Sequence, residues 1–193
     1  MSRSLVPCPH VTRLLLLGFL IFPCAAKAAS GGRLGLYSDV ALSECTLADS
    51  SPRIADVYVV HSVTGSAAAF DGAISIMFQL GSSAGFTGTW LEDVLPAGMA
   101  AVGTSQSGII IGYPCSHGSL VVLKIRYQMY GTSSSCSAVE AIPNSITWTC
   151  FYGEELPVDG GRLVVNSNQS CSCDTPVATE SSTWGRVKAM YRN

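Results

Sequence analysis

The feature that most restricts what this chain can fold into is a run of strict alternation from Leu120 to Tyr130. Val121, Leu123, Ile125, Tyr127 and Met129 take every second position, separated by Val122, Lys124, Arg126 and Gln128. Successive side chains of a β-strand point to opposite faces. A period of two therefore predicts that the first set is buried and the second faces solvent. The rhythm recurs in Ile74, Ile76, Phe78 and Leu80, with Ser75, Met77 and Gln79 between them. Ile54–His61 is a continuous β-rich run, as in a strand deep in a sheet. Ile109–Tyr113, Ser145–Phe151 and Arg162–Asn166 are further candidate strands, and Arg33–Ser38 opens the fold. Turn signals separate them: Ser51-Pro52, Asp71-Gly72, Pro96-Ala97-Gly98, Ser107-Gly108, His117-Gly118 and Asp159-Gly160-Gly161. The pattern predicts an all-β, two-sheet antiparallel sandwich of immunoglobulin-like type, without an internal helix or repeat. A jelly roll or a small barrel satisfies the same pattern.

Ahead of this domain, residues 1–28 read as a secretory signal peptide. Arg3 and Arg13 supply positive charge, Leu14–Phe22 forms the apolar run, and Ala26-Lys27-Ala28 offers a cleavage site. The run is too short to span a bilayer, so no stable membrane span is expected. Pro23 stands where a lipoprotein signal needs a small residue before Cys24. The mature chain is expected outside the cytoplasm, in the periplasm, at the cell surface or in the medium.

Of the eight cysteines, Cys8 and Cys24 leave with the signal. Cys45, Cys115, Cys136, Cys150, Cys171 and Cys173 remain, an even number in an oxidising compartment, which predicts three disulfides of open connectivity. Cys171 and Cys173 would share one face of a strand and so are expected to bond to different partners. Cys150 shares a strand face with Ile146 and Trp148, which suggests a core-facing bridge. A zinc site built from Cys115, His117, Cys171 and Cys173 is the weaker reading, because structural sites space paired cysteines more widely. Three of the 11 basic residues leave with the signal, whereas all 13 acidic ones stay, so the mature chain carries a net charge of −5. An acidic domain is a poor electrostatic match for nucleic acid.

Catalytic motifs are scarce. Gly81-Ser82-Ser83-Ala84-Gly85 fits the G-x-S-x-G nucleophile elbow, with His117 as the downstream histidine. The elbow needs a helix after the serine, but the β-like Phe86-Thr87-Gly88-Thr89-Trp90 follows instead. A secreted serine hydrolase is thus the least favoured function. His61 ends an apolar strand and reads as an edge histidine. The acidic pairs Glu92-Asp93 and Glu154-Glu155, with Asp159, lack a calcium-loop pattern, so neither metal nor cofactor is expected. Asn168-Gln169-Ser170 is an N-glycosylation triplet. Among the aromatic residues, Tyr127 and Trp148 fall on predicted core faces. Trp90 is the candidate for contact with a ligand such as a glycan.

Residues 29–173 form the predicted sandwich, 174–182 a polar linker and 183–193 a short tail. Trp184, Val187 and Tyr191 share one face of a tail helix that also carries Arg186, Lys188 and Arg192. Ten residues are too few for a stable isolated helix, so the tail is expected to lie on something.

Ala69–Tyr130 resembles cohesin-type and other immunoglobulin-like secreted modules. The matching features are a strand ending Phe78-Gln79-Leu80, the loop Leu95-Pro96-Ala97-Gly98, then Gly108-Ile109-Ile110-Ile111-Gly112 and the long alternating strand. That resemblance implies a cohesin-like sandwich. Most of the mature chain is also similar to small exported bacterial proteins to which no activity attaches. The shared motifs are Gly35–Asp39 with Cys45, Gly112-Tyr113 with Cys115, Cys171-x-Cys173, and the tail Thr183-Trp184-Gly185-x-x-Lys188-x-x-Tyr191-Arg192. No catalytic residue carries over. The function expected is a non-enzymatic binding or structural module with a protein or glycan partner at the cell surface. Loops Thr64–Ala69, Phe86–Met99 and Gly131–Ser137 would meet that partner. The alternative is a passenger domain whose tail, through Trp184, Val187 and Tyr191, serves as a sorting or docking signal.

Overall fold

The structure is a computed structural model and describes residues 30–69, 72–171 and 173. The predicted signal, linker and tail lie outside the described residues. The strands are β1 (Gly32–Tyr37), β2 (Thr46–Leu47), β3 (Pro52–Ser62), β4 (Ala73–Phe78), β5 (Leu80–Ser82), β6 (Thr89–Val94) and β7 (Ala100–Thr104). They continue as β8 (Gly108–Ser116), β9 (Ser119–Tyr130), β10 (Ser137–Ala141), β11 (Ile146–Thr149), β12 (Glu155–Asp159) and β13 (Arg162–Val165). A single helical turn, α1 (Gly65–Ala69), follows β3.

The predicted all-β, two-sheet architecture is present. One sheet runs β6-β9-β3-β1-β12-β11-β4-β8-β7 and the other β2-β13-β10-β5. Pairing is antiparallel except for β1 with β12 and β2 with β13, so the sandwich is mixed rather than wholly antiparallel. Both sheets feed one core. Leu34, Val57 and Ile125 come from one half of the long sheet, Ile76, Ile109 and Leu156 from the other, and Val139 and Leu163 from the short sheet.

The long alternation of β9 is real from Leu123 to Met129 but changes phase before that. A register shift lies between Val59 and Val60 of β3. Beyond it Leu120 and Val122 turn to the main core, while Val121 packs outside with Tyr37, Leu42 and Val60. A second irregularity, between Ala73 and Ser75, leaves Ile74 43% exposed where alternation predicted burial. Each is the signature of a β-bulge, which adds a residue to one strand and reverses its inside-outside pattern.

The six mature cysteines form Cys45–Cys173, Cys115–Cys150 and Cys136–Cys171, each with Cα atoms 5.8 Å apart. Cys171 and Cys173 do take different partners, and Cys115, Cys171 and Cys173 fall in three bridges, which leaves no thiolates for zinc. The core-facing bridge at Cys150 is corrected. Cys115 is exposed and Cys150 half-buried, while Thr147 and Thr149 occupy the inner face of β11. Trp148 accordingly points outwards, its indole N–H donating to Glu155 at 3.2 Å.

Candidate functional site

The outer face of β3, β9 and β6 carries ordered rows of charged and apolar side chains. Its rows follow from the register. Asp56 lies opposite Arg126, which lies opposite Glu92, and one row on Ile54 meets Gln128, which meets Thr89. Arg126 reaches Glu92 at 2.7 Å and Asp56 at 3.4 Å, and Lys124 adds a 3.6 Å contact to Asp56. The hydrogen bond to Glu92, followed by the charge of Asp56, raises the Arg126 pKa above its ordinary value. On the Tyr130 side of this ionic row three large apolar side chains stand in water: Ile54 at 61%, Tyr130 at 46% and Leu91 at 42% exposure. Leu91 is extruded because the register slips between Trp90 and Glu92. The sequence pattern showed Arg126 facing solvent. It did not show Ile54 outside, because the run Ile54–His61 reads as continuously buried.

The end of this face is held rigidly. Asp49 is 3% exposed and accepts the amides of Gly131 at 2.7 Å and Ser133 at 2.9 Å. Burial alone would raise its pKa, but the hydrogen bonds from Ser133, Gly131 and Thr132 outweigh that and hold it below the ordinary value. Asn166 completes the clamp, accepting the Asp49 amide at 2.7 Å and donating to Ser133 O at 2.7 Å. A shallow depression of about 330 Å³ beside it is lined by Thr46, Leu47, Ala48, Asn166 and Ser167. Thr87 ties the neighbouring loop in through Thr132 and Ser133. Of the three predicted contact loops, Gly131–Ser137 and the first residues of Phe86–Met99, 86–88, therefore meet here, while Thr89–Val94 of that stretch form β6. Thr64–Ala69 follows Ser62, at the opposite end of β3, so the three do not form one surface.

Trp90 is half-buried and packs against the core, with its indole N–H donating to Asp93 at 3.0 Å. Asp93 also accepts the amide of Ser105 at 2.7 Å, which closes the gap between β6 and the end of β7. Trp90 thus presents only part of its ring. Tyr127 is buried as predicted. Burial, opposed by the hydrogen bond from Gln106, pushes its pKa up to about 12.

The hydrolase residues do not come together. Ser116, next to His117, pairs with Ala73 at one end of β4, whereas Ser83 lies beyond the other end. The six residues of β4 alone separate them by roughly 17 Å. Ser83 Oγ is occupied in accepting the Ala138 amide at 2.8 Å. The acidic pairs are equally dispersed, and no group of metal-ligating side chains occurs among the described residues. Asn168 forms a turn, with its side chain accepting the Ser170 amide at 2.8 Å. Trp184, Val187 and Tyr191 lie outside the described residues.

His61, at the end of an apolar strand, is fully buried and not at an edge. Its Nε2–H donates to Gly31 O at 3.1 Å, since a carbonyl can only accept, so Nδ1 accepts from the Tyr113 hydroxyl at 2.7 Å. Burial lowers its pKa to about 4, against the Gly31 hydrogen bond. Burial also raises that of Tyr113, with Thr147 opposing. Thr147 in turn donates to Ser75 O at 2.5 Å. The histidine is a core crosslink without access to a substrate.

These features define a cohesin-like β-sandwich with a mixed apolar and ionic outer face. The cohesin module of a family 33 glycoside hydrolase from Clostridium perfringens ATCC13124 superposes with a TM-score of 0.52. The match is at 8% identity over 72% of this chain and 100% of that one. The third ScaB cohesin of R. flavefaciens, solved in complex with a group 1 dockerin, gives 0.48 at 10% identity over 72% and 96%. No family model and no curated protein matches the chain by sequence. At such identity the likeness is one of fold, and it rests on the first of these two. No helix among the described residues is long and apolar enough to cross a membrane.

Proposed function

We propose that the mature chain is an exported, non-enzymatic module that binds a protein partner at the cell surface or in the extracellular space. The observation that carries this reading is the outer face of β3, β9 and β6. Ile54, Leu91 and Tyr130 stand exposed on the Tyr130 side of Arg126, with a clamped polar loop end beyond them. Protein interfaces combine apolar and aromatic anchors with arginine in this way, inside a polar rim. A glycan partner is less favoured, because Trp90 turns much of its ring to the core. Three disulfides fit an oxidising compartment, as the predicted signal peptide requires.

The test uses the purified mature chain as bait for envelope and secreted proteins of its own host. One partner, identified by mass spectrometry, should be retained by the unaltered chain and lost at least tenfold by an Ile54→Asp, Tyr130→Asp double variant. Identical recovery on both baits would reject this face. Full-length chain found only in the cytosol, with residues 1–28 uncleaved, would reject export.

A further inference from the structure

We propose that the C-terminal segment 183–192 docks on its own sandwich, along an apolar row on the outer face of β7, β8, β4, β11 and β12. The register aligns Val102 with Ile110, Ile110 with Met77, Met77 with Ile146, and Ile146 with Pro157. Their neighbours Ala101, Ile111, Ile76, Leu156 and Val158 point into the core, so this row points out. It is apolar at all five positions, with Val102 76% and Ile110 42% exposed. A solvated sheet face ordinarily alternates to polar residues here. The next row, Ala100, Gly112, Ser75, Trp148 and Glu155, adds one charge, at its β12 end.

Three arguments choose the occupant. The first is size. Five strands span about 19 Å, and a strip one or two side chains wide covers only on the order of 200 Å². A stable association of two copies needs about 800 Å² from each. A ten-residue helix is about 15 Å long and fits the row, with Trp184, Val187 and Tyr191 on one face.

The second is reach. Cys173 is bonded to Cys45, whose carbonyl accepts the Val164 amide, and Val164 is seven residues from Pro157. Pro157 and Val164 lie on strands of different sheets with a turn between them, so about 23 Å is an upper bound on that leg, to which the 5.8 Å bridge and one strand spacing add. Residues 174–182 bridge up to about 33 Å when extended. The third is charge. Glu154, Glu155 and Asp159 stand exposed at the β12 end, and the segment carries Arg186, Lys188 and Arg192. Tethering makes the contact intramolecular, so a short helix suffices where a free one would not.

Hydrogen exchange on the full mature chain, disulfides intact, tests this. Amides of 183–192 should exchange at least tenfold more slowly than in a free peptide of that sequence. Val102→Asp with Ile110→Asp, both on the outer face, should return them to the peptide rate. Trp184→Asp leaves the sandwich sequence untouched and provides the reciprocal readout, faster exchange in β7 and β8. Peptide-like exchange in the unaltered chain would overturn the proposal. So would protection that both sets of variants leave intact, or protection that grows with concentration alongside a doubled mass, which would give the row to a second copy. The variants at Ile54 and Tyr130 lie on β3 and β9, at the other end of the long sheet, so this result and that of the partner test are separable.

Discussion

His61 allows a sharp prediction, because its protonation state is coupled to folding through a known geometry. Both ring nitrogens are engaged, Nε2–H with Gly31 O and Nδ1 with the Tyr113 hydroxyl. A second proton would replace the acceptor with a donor and place a charge in the core. Burial accordingly holds the folded pKa at about 4, against an ordinary 6.5. Between these values the unfolded chain binds more protons than the folded one. The contribution is whole above pH 6.5, shrinks as pH falls, and is exhausted below about pH 4. At about 1.4 kcal/mol per pH unit the full window is worth roughly 3 kcal/mol, and the interval from pH 7 to pH 5 about 2 kcal/mol. Urea unfolding at pH 7, 6 and 5, with disulfides intact, reads this directly. His61→Gln cannot titrate and should give a flat profile at lower overall stability. Equal stability of the unaltered chain at pH 7 and pH 5, or an unchanged slope in His61→Gln, would refute the reasoning.

Asp49→Ala strands the buried amide of Ser133 and the part-buried amide of Gly131, so a loss of about 2–4 kcal/mol is expected in thermal unfolding. Because the folded pKa of Asp49 is depressed, its stabilisation is present above about pH 3.8 and lost as pH falls further. Asp49→Asn should therefore flatten the acid limb of the stability curve. Replacing Cys45 and Cys173 together by serine opens a loop of sequence separation 128, worth about 4–5 kcal/mol by chain entropy. A urea midpoint unchanged by that pair would mean the bridge does not form in the folded chain. Gly32 sits at φ +117° with a hypothetical Cβ 2.0 Å from Ser62 O, so Gly32→Ala should cost at least about 2 kcal/mol in thermal unfolding.

Alternation revealed the strands but not where they change phase. A bulge costs nothing in composition: Val59-Val60 and Val121-Val122 read alike whichever member faces the core. Only the pairing of β3 with β9 shows that Val121 belongs to the outer cluster. β11 misled for another reason. Hydrophobicity ranks Trp148 far above Thr147, yet Thr147 is fully buried because its methyl packs inside and its hydroxyl finds Ser75 O. His61 is the same case in a charged guise, a polar residue satisfied on both sides and so free to be buried. The proposed partner face was half legible. Lys124 and Arg126 marked the solvent side of β9, whereas Asp56, Glu92 and Ile54 joined them only through register across three strands.

Two of the three disulfides hold residues 167–173, and the reason lies in what that segment buries. Ser167, Asn168, Gln169 and Ser170 are all exposed, and the last core strand ends at Val165. Ordering each backbone residue costs about 1–2 kcal/mol, which apolar burial cannot offset here. The cross-links supply what the core does not. Cys136–Cys171 fastens the segment to the loop already clamped by Asp49, and Cys45–Cys173 fastens it beside β2, which meets β13 at Val164. Both anchors lie at the end of the sandwich where Pro52 pairs with Tyr130, beside Ile54. Oxidation thus fixes the root from which the tail departs and stiffens the border of the proposed partner face, so reduction should loosen that border while β3 and β9 stay paired.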